Sequence, residues 1–103
     1  MTPEGRVKKK LKDLLEPFGK SLYQYWPVGN GMGAPALDVI ICFNGQFLSI
    51  ELKAGKKQMT DRQVTTAGNI NAAGGMTLMI NEHEGWLELQ SWLGRYDKQY
   101  ADT

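Results

Sequence analysis

The amino-acid sequence predicts one α/β domain, with a mixed central β-sheet flanked by α-helices, across residues 1–103. Three observations predict this fold class: an amphipathic helical repeat at the start, an Asn-Gly hairpin signal in the middle, and a capped helix followed by another β-rich run. The composition is that of an ordinary globular protein, with 42% hydrophobic and 22% charged residues. A chain of this length forms a modest core and is too small for two enzyme lobes.

The first predicted element is a helix that ends at Pro17 and Gly19. Its apolar residues recur at intervals of three and four, which places them on one helix face. These residues are Val7, Leu11, Leu14, Leu15 and Phe18. Glu4 falls on the same arc of the helical wheel, so we expect it to face inward, where an acid needs a partner or a metal ion. The alternative is a surface acid that interacts favourably with the helix dipole.

The middle of the chain predicts three strands. An aromatic run at 22–26 predicts an edge strand, and the glycine-rich run at 29–33 predicts a loop, either a connector or a place where a nucleic-acid backbone approaches closely. Asn44-Gly45 separates β-rich runs at 37–43 and 46–53 and predicts a two-residue hairpin turn. In that register Asp38 lies opposite Glu51. One hairpin face is wholly apolar and is expected to be buried; it comprises Val39, Ile41, Phe43, Leu48, Ile50 and Leu52.

The last third predicts a helix, two strands and a terminal helix. Thr60 and Gln63 have the spacing of a capping box, and Gly74-Gly75 ends that helix. A strand is expected at 76–80, a second strand paired with it at 86–89, and a helix at 91–100. We expect His83 to lie in a loop without a catalytic role. The late aromatic residues are interpreted as core, with a dimer surface as the alternative; they are Trp86, Trp92, Tyr96 and Tyr100.

Composition and charge narrow the function classes. A single cysteine, Cys42, excludes a disulfide scaffold and is typical of a reducing compartment, and we expect it to be a small core residue. No apolar run approaches the roughly 20 residues that cross a bilayer, so a cytoplasmic protein is expected. Residues 1–62 carry a net charge of +4 and residues 63–103 one of −3. A basic half suits a polyanionic partner, although it is also typical of a solvated face.

Asp38 and Glu51 are the residues that most need a chemical explanation. Side chains directly opposite each other on neighbouring strands have Cβ atoms about 5 Å apart, and like charges there are destabilising. Mg²⁺ prefers one or two carboxylates together with carbonyls, waters and phosphates, so a divalent ion explains the pair. Lys53 lies on the same face, roughly 7 Å further along the strand, within reach of a metal-bound water or a phosphate. The alternative is a salt bridge of either acid with Lys53 on a solvated face.

The same residues stand in a pattern similar to that of a nuclease family. The segments are GAPALD at 33–38, IELK at 50–53, TDRQ at 60–63 and AGG at 73–75. They resemble the PD-(D/E)XK nuclease superfamily, and more narrowly the virus-type replication-repair nuclease (VRR-NUC) domain, which phages carry as a small stand-alone protein. The resemblance covers about residues 4–80. One departure is that the proline stands three residues before Asp38 instead of next to it.

The resemblance implies a restriction-endonuclease-like core and Mg²⁺- or Mn²⁺-dependent hydrolysis of DNA phosphodiester bonds. It implies that Asp38 and Glu51 bind the metal ion and that the backbone carbonyl of Leu52 is a further ligand. Lys53 would orient or deprotonate the attacking water, and Gln63 would help to position it. For Gln63, a simple capping role is the alternative.

Glu4 resembles the acid that the family carries in its first helix. Nearby basic residues are expected to contact DNA phosphates and make binding salt-dependent. They are Arg6, Lys8, Lys9, Lys10, Lys12, Lys56, Lys57 and Arg62.

Because so small a domain covers little of a duplex, a homodimer is expected, with selective cutting of branched or Holliday-junction DNA. The alternatives are an exonuclease or nicking nuclease without junction preference, and a DNA-binding module that does not cut.

Overall fold

The computed structural model describes residues 1–28 and 33–98, so most of the predicted glycine-rich loop lies outside the described residues. The helices and strands, in chain order, are α1 (Pro3–Leu15), β1 (Leu22–Tyr25), β2 (Val39–Phe43), β3 (Gln46–Leu52), α2 (Asp61–Ala72), β4 (Met76–Ile80) and α3 (Trp86–Tyr96). A short 3₁₀ helix, Glu16–Ser21, joins α1 to β1. This arrangement confirms the α/β class.

The strands of the described residues form one mixed sheet in the order β1-β2-β3-β4. The first three are antiparallel, and β4 is parallel to β3. Phe43 pairs with Gln46 and Val39 with Ile50, which confirms the predicted hairpin register. The turn is the two-residue kind, since Asn44 and Gly45 both have positive φ, at 52° and 85°. Strands β2 and β3 are therefore the interior strands, and β1 and β4 are the edges.

The hydrophobic core lies between one face of the sheet and helices α1 and α3. The six apolar hairpin residues predicted to be buried are all at most 2% exposed. The Phe43 ring contacts Phe18 and Trp92, with centroid distances of 5.3 and 5.9 Å. Because alternate side chains point to opposite faces of a strand, burial of this set leaves Glu51 and Lys53 on the other face.

Helix α1 begins with Thr2, whose side chain accepts a hydrogen bond from the Gly5 backbone N–H at 3.0 Å. Its predicted apolar stripe is confirmed, because Val7, Leu11 and Leu15 are buried. The expectation that Glu4 is buried is wrong, since this residue is exposed. A helical wheel gives a direction around the axis but no position along it. Glu4 lies almost one turn before the first buried residue, beyond the margin of the core.

Helix α2 packs against β3 and β4 on the face opposite the core. It covers only that half of the sheet, so the side chains of β1 and β2 on this face remain largely uncovered. Cys42 is consequently exposed, and the prediction that it belongs to the core is wrong. On the edge strand beside it, Tyr23 and Tyr25 are 65% and 47% exposed.

Helix α3 begins at Trp86, so the strand predicted at 86–89 is wrong. Trp86, Leu89, Trp92 and Leu93 are buried, at the spacing of one helix face. The core interpretation is thereby confirmed for both tryptophans, whereas Tyr100 lies outside the described residues. His83 lies in the loop before α3 and is exposed. Within residues 1–28 and 33–98, no helix has the length and hydropathy to span a bilayer.

Candidate metal centre and active site

The two predicted carboxylates meet at the open end of the hairpin. Asp38 comes directly before β2, and Glu51 is the penultimate residue of β3. One carboxylate oxygen of Asp38, Oδ2, accepts a hydrogen bond from the Leu52 backbone N–H at 2.8 Å. The strand pairing ends at Val39 and Ile50, and this side-chain bond holds Asp38 at the open end of the hairpin.

Glu51 is buried, with only 4% of its surface exposed. Its Oε2 atom accepts a hydrogen bond from Gln63 Nε2 at 2.9 Å, and Lys53 Nζ lies 3.6 Å from the same oxygen. One donor comes from α2 and the other from the end of β3. The structure thus brings together Asp38, Glu51, Lys53 and Gln63, as the sequence predicts.

The pKa of Glu51 is raised from its ordinary value of 4.5 to about 7. Burial is the largest cause, and the negative charge of Asp38 adds to it, whereas the Lys53 ammonium opposes it. The two carboxyl groups are close enough for a hydrogen bond, which needs one of them to be protonated. A single ammonium therefore does not compensate two adjacent carboxylates, and the site is suited to an additional cation.

The donor set fits a hard divalent ion. In the described parts of the chain, no three His, Cys, Asp or Glu side chains gather in a way that could hold a metal ion. Two carboxylates with one or more backbone oxygens, completed by water and phosphate, are the set that Mg²⁺ or Mn²⁺ accepts. The N–H and C=O of a strand residue point to the same edge. The Leu52 carbonyl therefore faces the Asp38 side of β3, where the resemblance expects a ligand.

A cavity of about 410 Å³ opens beside Asp38 and Leu52. Glu4 and Lys8 of α1 line another part of its wall, and Trp26 lies between the two parts. The Lys8 ammonium is 4.8 Å from the centre of the Trp26 ring, a distance at which cation and ring attract each other. Glu4 therefore borders the site that it was expected to join, although it is exposed.

The predicted phosphate-binding residues form two groups. Arg6, Lys8, Lys9, Lys10 and Lys12 belong to α1, where Lys9 is engaged by Asp13 at 2.7 Å and only Lys8 lines the cavity. The second group follows Lys53 along the chain and is exposed; it comprises Lys56, Lys57 and Arg62. The site thus has a basic residue on its α1 side and a basic segment on its β3 side.

Glu82 makes a contact beside the candidate site that the sequence did not predict. Both of its carboxylate oxygens accept the Gly55 backbone N–H, each at 2.9 Å, and this interaction lowers the pKa of Glu82. The contact anchors the loop that carries Lys56 and Lys57 to the segment after β4. Parallel pairing of β3 with β4 brings the two segments together, and no local signal in the sequence indicates that pairing.

Gln63 completes the predicted capping box and also contacts Glu51. The Gln63 Oε1 atom accepts a hydrogen bond from the Thr60 backbone N–H at 2.9 Å. The Gln63 backbone N–H donates to the Thr60 hydroxyl at 3.2 Å, which completes the predicted capping box. Its Nε2 donates to Glu51. Capping therefore fixes the side chain in the position from which it holds the carboxylate.

The substitution Gln63→Glu separates the helix cap from the hydrogen bond to Glu51. Glutamate keeps the acceptor for the cap but replaces the donor with a second negative charge beside Glu51. We expect the free energy of unfolding at about pH 8 to fall by about 1–3 kcal/mol, since a hydrogen bond to a charged group is lost. At about pH 4, where Glu51 is protonated, the difference should shrink.

The measurement is urea unfolding of wild type and variant at both pH values. Thr60→Ala is the matched control, because it removes only the cap and should cost about 1 kcal/mol at either pH. If Gln63→Glu lowers the free energy of unfolding equally at the two pH values, the hydrogen bond from Gln63 has no part in holding the Glu51 carboxylate.

Comparison of the chain with protein-family models, with curated proteins and with solved structures gave no match.

Proposed function

We propose that the chain is a metal-dependent deoxyribonuclease with a restriction-endonuclease-like core, of the kind that its resemblance to VRR-NUC domains implies. The observation that carries the proposal is the pairing of Asp38 with a buried Glu51 whose Oε2 atom contacts both Lys53 and Gln63. A salt bridge on a solvated face does not explain this arrangement, because Glu51 is buried and its pKa is raised despite Lys53.

Each residue has a distinct part in the proposed reaction. Asp38 and Glu51 would hold Mg²⁺ or Mn²⁺, which when bound would polarise the scissile phosphate and make a bound water more acidic. Asp38 and Glu51 supply ionised oxygens, and their positions are fixed by the Leu52 N–H and by Gln63. As an ammonium, Lys53 orients the attacking water; as the neutral amine, it removes the water's proton. Its position on the same face as Glu51 suits either role.

The surroundings of the site suit a DNA backbone. Lys8 borders the cavity next to Asp38, and the exposed residues Lys56, Lys57 and Arg62 follow the site along the chain. A domain of this size covers little of a duplex, so we propose that it acts as a homodimer that selects branched or Holliday-junction DNA. We place this activity in the cytoplasm, or in that of the host if the protein is viral.

The test is incubation of the protein with a four-way junction, a linear duplex and a supercoiled plasmid, each with Mg²⁺, Mn²⁺ or EDTA. We expect the junction to be cut fastest, only with a divalent ion, and light scattering to return twice the chain mass. Equal cutting of the plain duplex would indicate a nuclease without junction preference, and release of mononucleotides from ends an exonuclease. Binding without cutting under any metal would identify a non-cutting module and refute the proposal.

A further inference from the structure

The sheet face that carries Glu51 continues into an exposed aromatic surface. We call it the aromatic face and define it by Tyr23 and Tyr25 of β1, Cys42 of β2 and Phe47 of β3. Tyr23 pairs with Cys42, which pairs with Phe47, so these three form one row across the sheet. Helix α2 leaves this part of the sheet open, and Phe47 is 40% exposed.

The aromatic face adjoins the candidate metal centre. Tyr25 pairs with Ile40, and Asp38 stands two residues before Ile40, directly ahead of β2. Tyr23 and Tyr25 lie on the same face of β1, about 7 Å apart along the strand. That distance is close to the separation of successive nucleotides in an extended single strand. Glu51 is the only acidic residue within β1, β2 and β3.

Tyrosine rings exposed on a β-sheet are a stacking platform for unpaired bases, because every base has a π-face that can lie on an aromatic ring. Bases inside a duplex are already stacked on each other and cannot use such a platform. Resting on the proposed function, we propose that the aromatic face binds an unpaired segment of the DNA substrate, with its bases stacked on Tyr23 and Tyr25.

The size of the aromatic face favours this occupant over a second copy of the chain. Complete coverage of the four side chains would bury roughly 400 Å², given that an aromatic side chain buries 150–250 Å² and these are about half exposed. One partner in a standard protein interface contributes about 800 Å². Two or three stacked bases need no more than the area available, and the backbone would run towards Asp38 and Lys53.

The test is binding of a fluorescent oligo-dT, followed by anisotropy in EDTA so that cutting cannot occur. Tyr23→Ala and Tyr25→Ala are each expected to weaken binding by about five- to fiftyfold, with an unchanged dependence on salt concentration, because stacking involves no counterion release. Tyr23→Phe and Tyr25→Phe should bind as wild type. Leu87→Ala, at a side chain that is 77% exposed on α3, is the matched surface control and should also bind as wild type. Circular dichroism and thermal unfolding verify that each variant is folded.

Two results would overturn the inference: the alanine variants bind oligo-dT as tightly as wild type, or they convert a wild-type dimer into a monomer with unchanged affinity per chain. The second result would assign the aromatic face to a second copy. The inference and the proposed function fail separately. Cutting with Mg²⁺ but tyrosine-independent binding refutes only the inference, whereas tyrosine-dependent binding without any cutting refutes only the nuclease.

Discussion

Asp38→Asn is expected to lower metal-dependent cutting by more than about 100-fold while the protein stays folded. Replacing a residue that merely supports a metal ligand costs roughly 10- to 100-fold, so loss of a ligand's charge should cost more. Asparagine keeps an oxygen that can accept the Leu52 N–H, so the hairpin end should remain in place. The measurement is the initial cutting rate of the preferred substrate over a range of Mg²⁺ concentrations, with wild type assayed in parallel.

Two further variants complete that experiment. Asp13→Asn removes an exposed carboxylate that pairs with Lys9 on α1, away from the site, and should leave cutting unchanged. Lys53→Ala is expected to lower cutting by about 10²- to 10⁴-fold, the usual contribution of a positioned proton-transfer group. Cutting that survives either Asp38→Asn at saturating Mg²⁺ or Lys53→Ala would show that the reaction occurs elsewhere on the chain.

Glu51→Gln is expected to stabilise the metal-free protein at about pH 8. The folded-state pKa of Glu51 is raised to about 7 from 4.5, so between these values the folded chain binds more protons than the unfolded chain. The free energy of unfolding of wild type therefore falls as pH rises through this range. A pKa shift of that size corresponds to roughly 3 kcal/mol in the free energy of unfolding. Wild type loses this stability by about pH 8, whereas the variant with a neutral glutamine keeps it. Near pH 4 the two proteins should be equally stable.

Magnesium should reduce the difference in stability between the two proteins at about pH 8. An ion that binds only the folded state stabilises it, and a site with two ionised carboxylates binds that ion far better than one with a single carboxylate. Urea unfolding with Mg²⁺ or with EDTA is the measurement. We expect Mg²⁺ to raise the stability of wild type and to leave Glu51→Gln unchanged. Equal stabilisation of both proteins would place the ion away from Glu51.

Local chemistry explains why the central hairpin was predictable. Asn44 and Gly45 tolerate positive φ, so they fix a two-residue turn, and that turn fixes which residues pair as far as Val39 and Ile50, the neighbours of Asp38 and Glu51. Gln63 was predictable for a similar reason, since a capping box involves residues only three positions apart. The centre of the candidate site therefore depends on short-range rules.

The errors arose where the answer depends on how elements pack. Exposure of Cys42 reflects how much of the sheet α2 covers, which no pattern within β2 reveals. Glu4 was placed by its angle around α1, whereas its burial depends on where the helix meets the sheet. Residues 86–89 fit a strand, in which Leu87 and Leu89 alternate, or a helix turn, in which Trp86 and Leu89 share a face. The longer repeat through Trp92 and Leu93 distinguishes the two.

Both candidate carboxylates are attached to interior strands, whereas the sheet edges are β1 and β4. Interior strands are commonly among the last parts of a protein to exchange their amide hydrogens with solvent, because they open only when the whole molecule unfolds. The arrangement of Asp38 and Glu51 is thus expected to persist as long as the protein is folded. It should stay intact when the edge strand β1, with its aromatic residues, opens locally. If the proposed function is correct, the part that would receive substrate can fluctuate on a short timescale, while the part that would perform the chemistry stays assembled between turnovers.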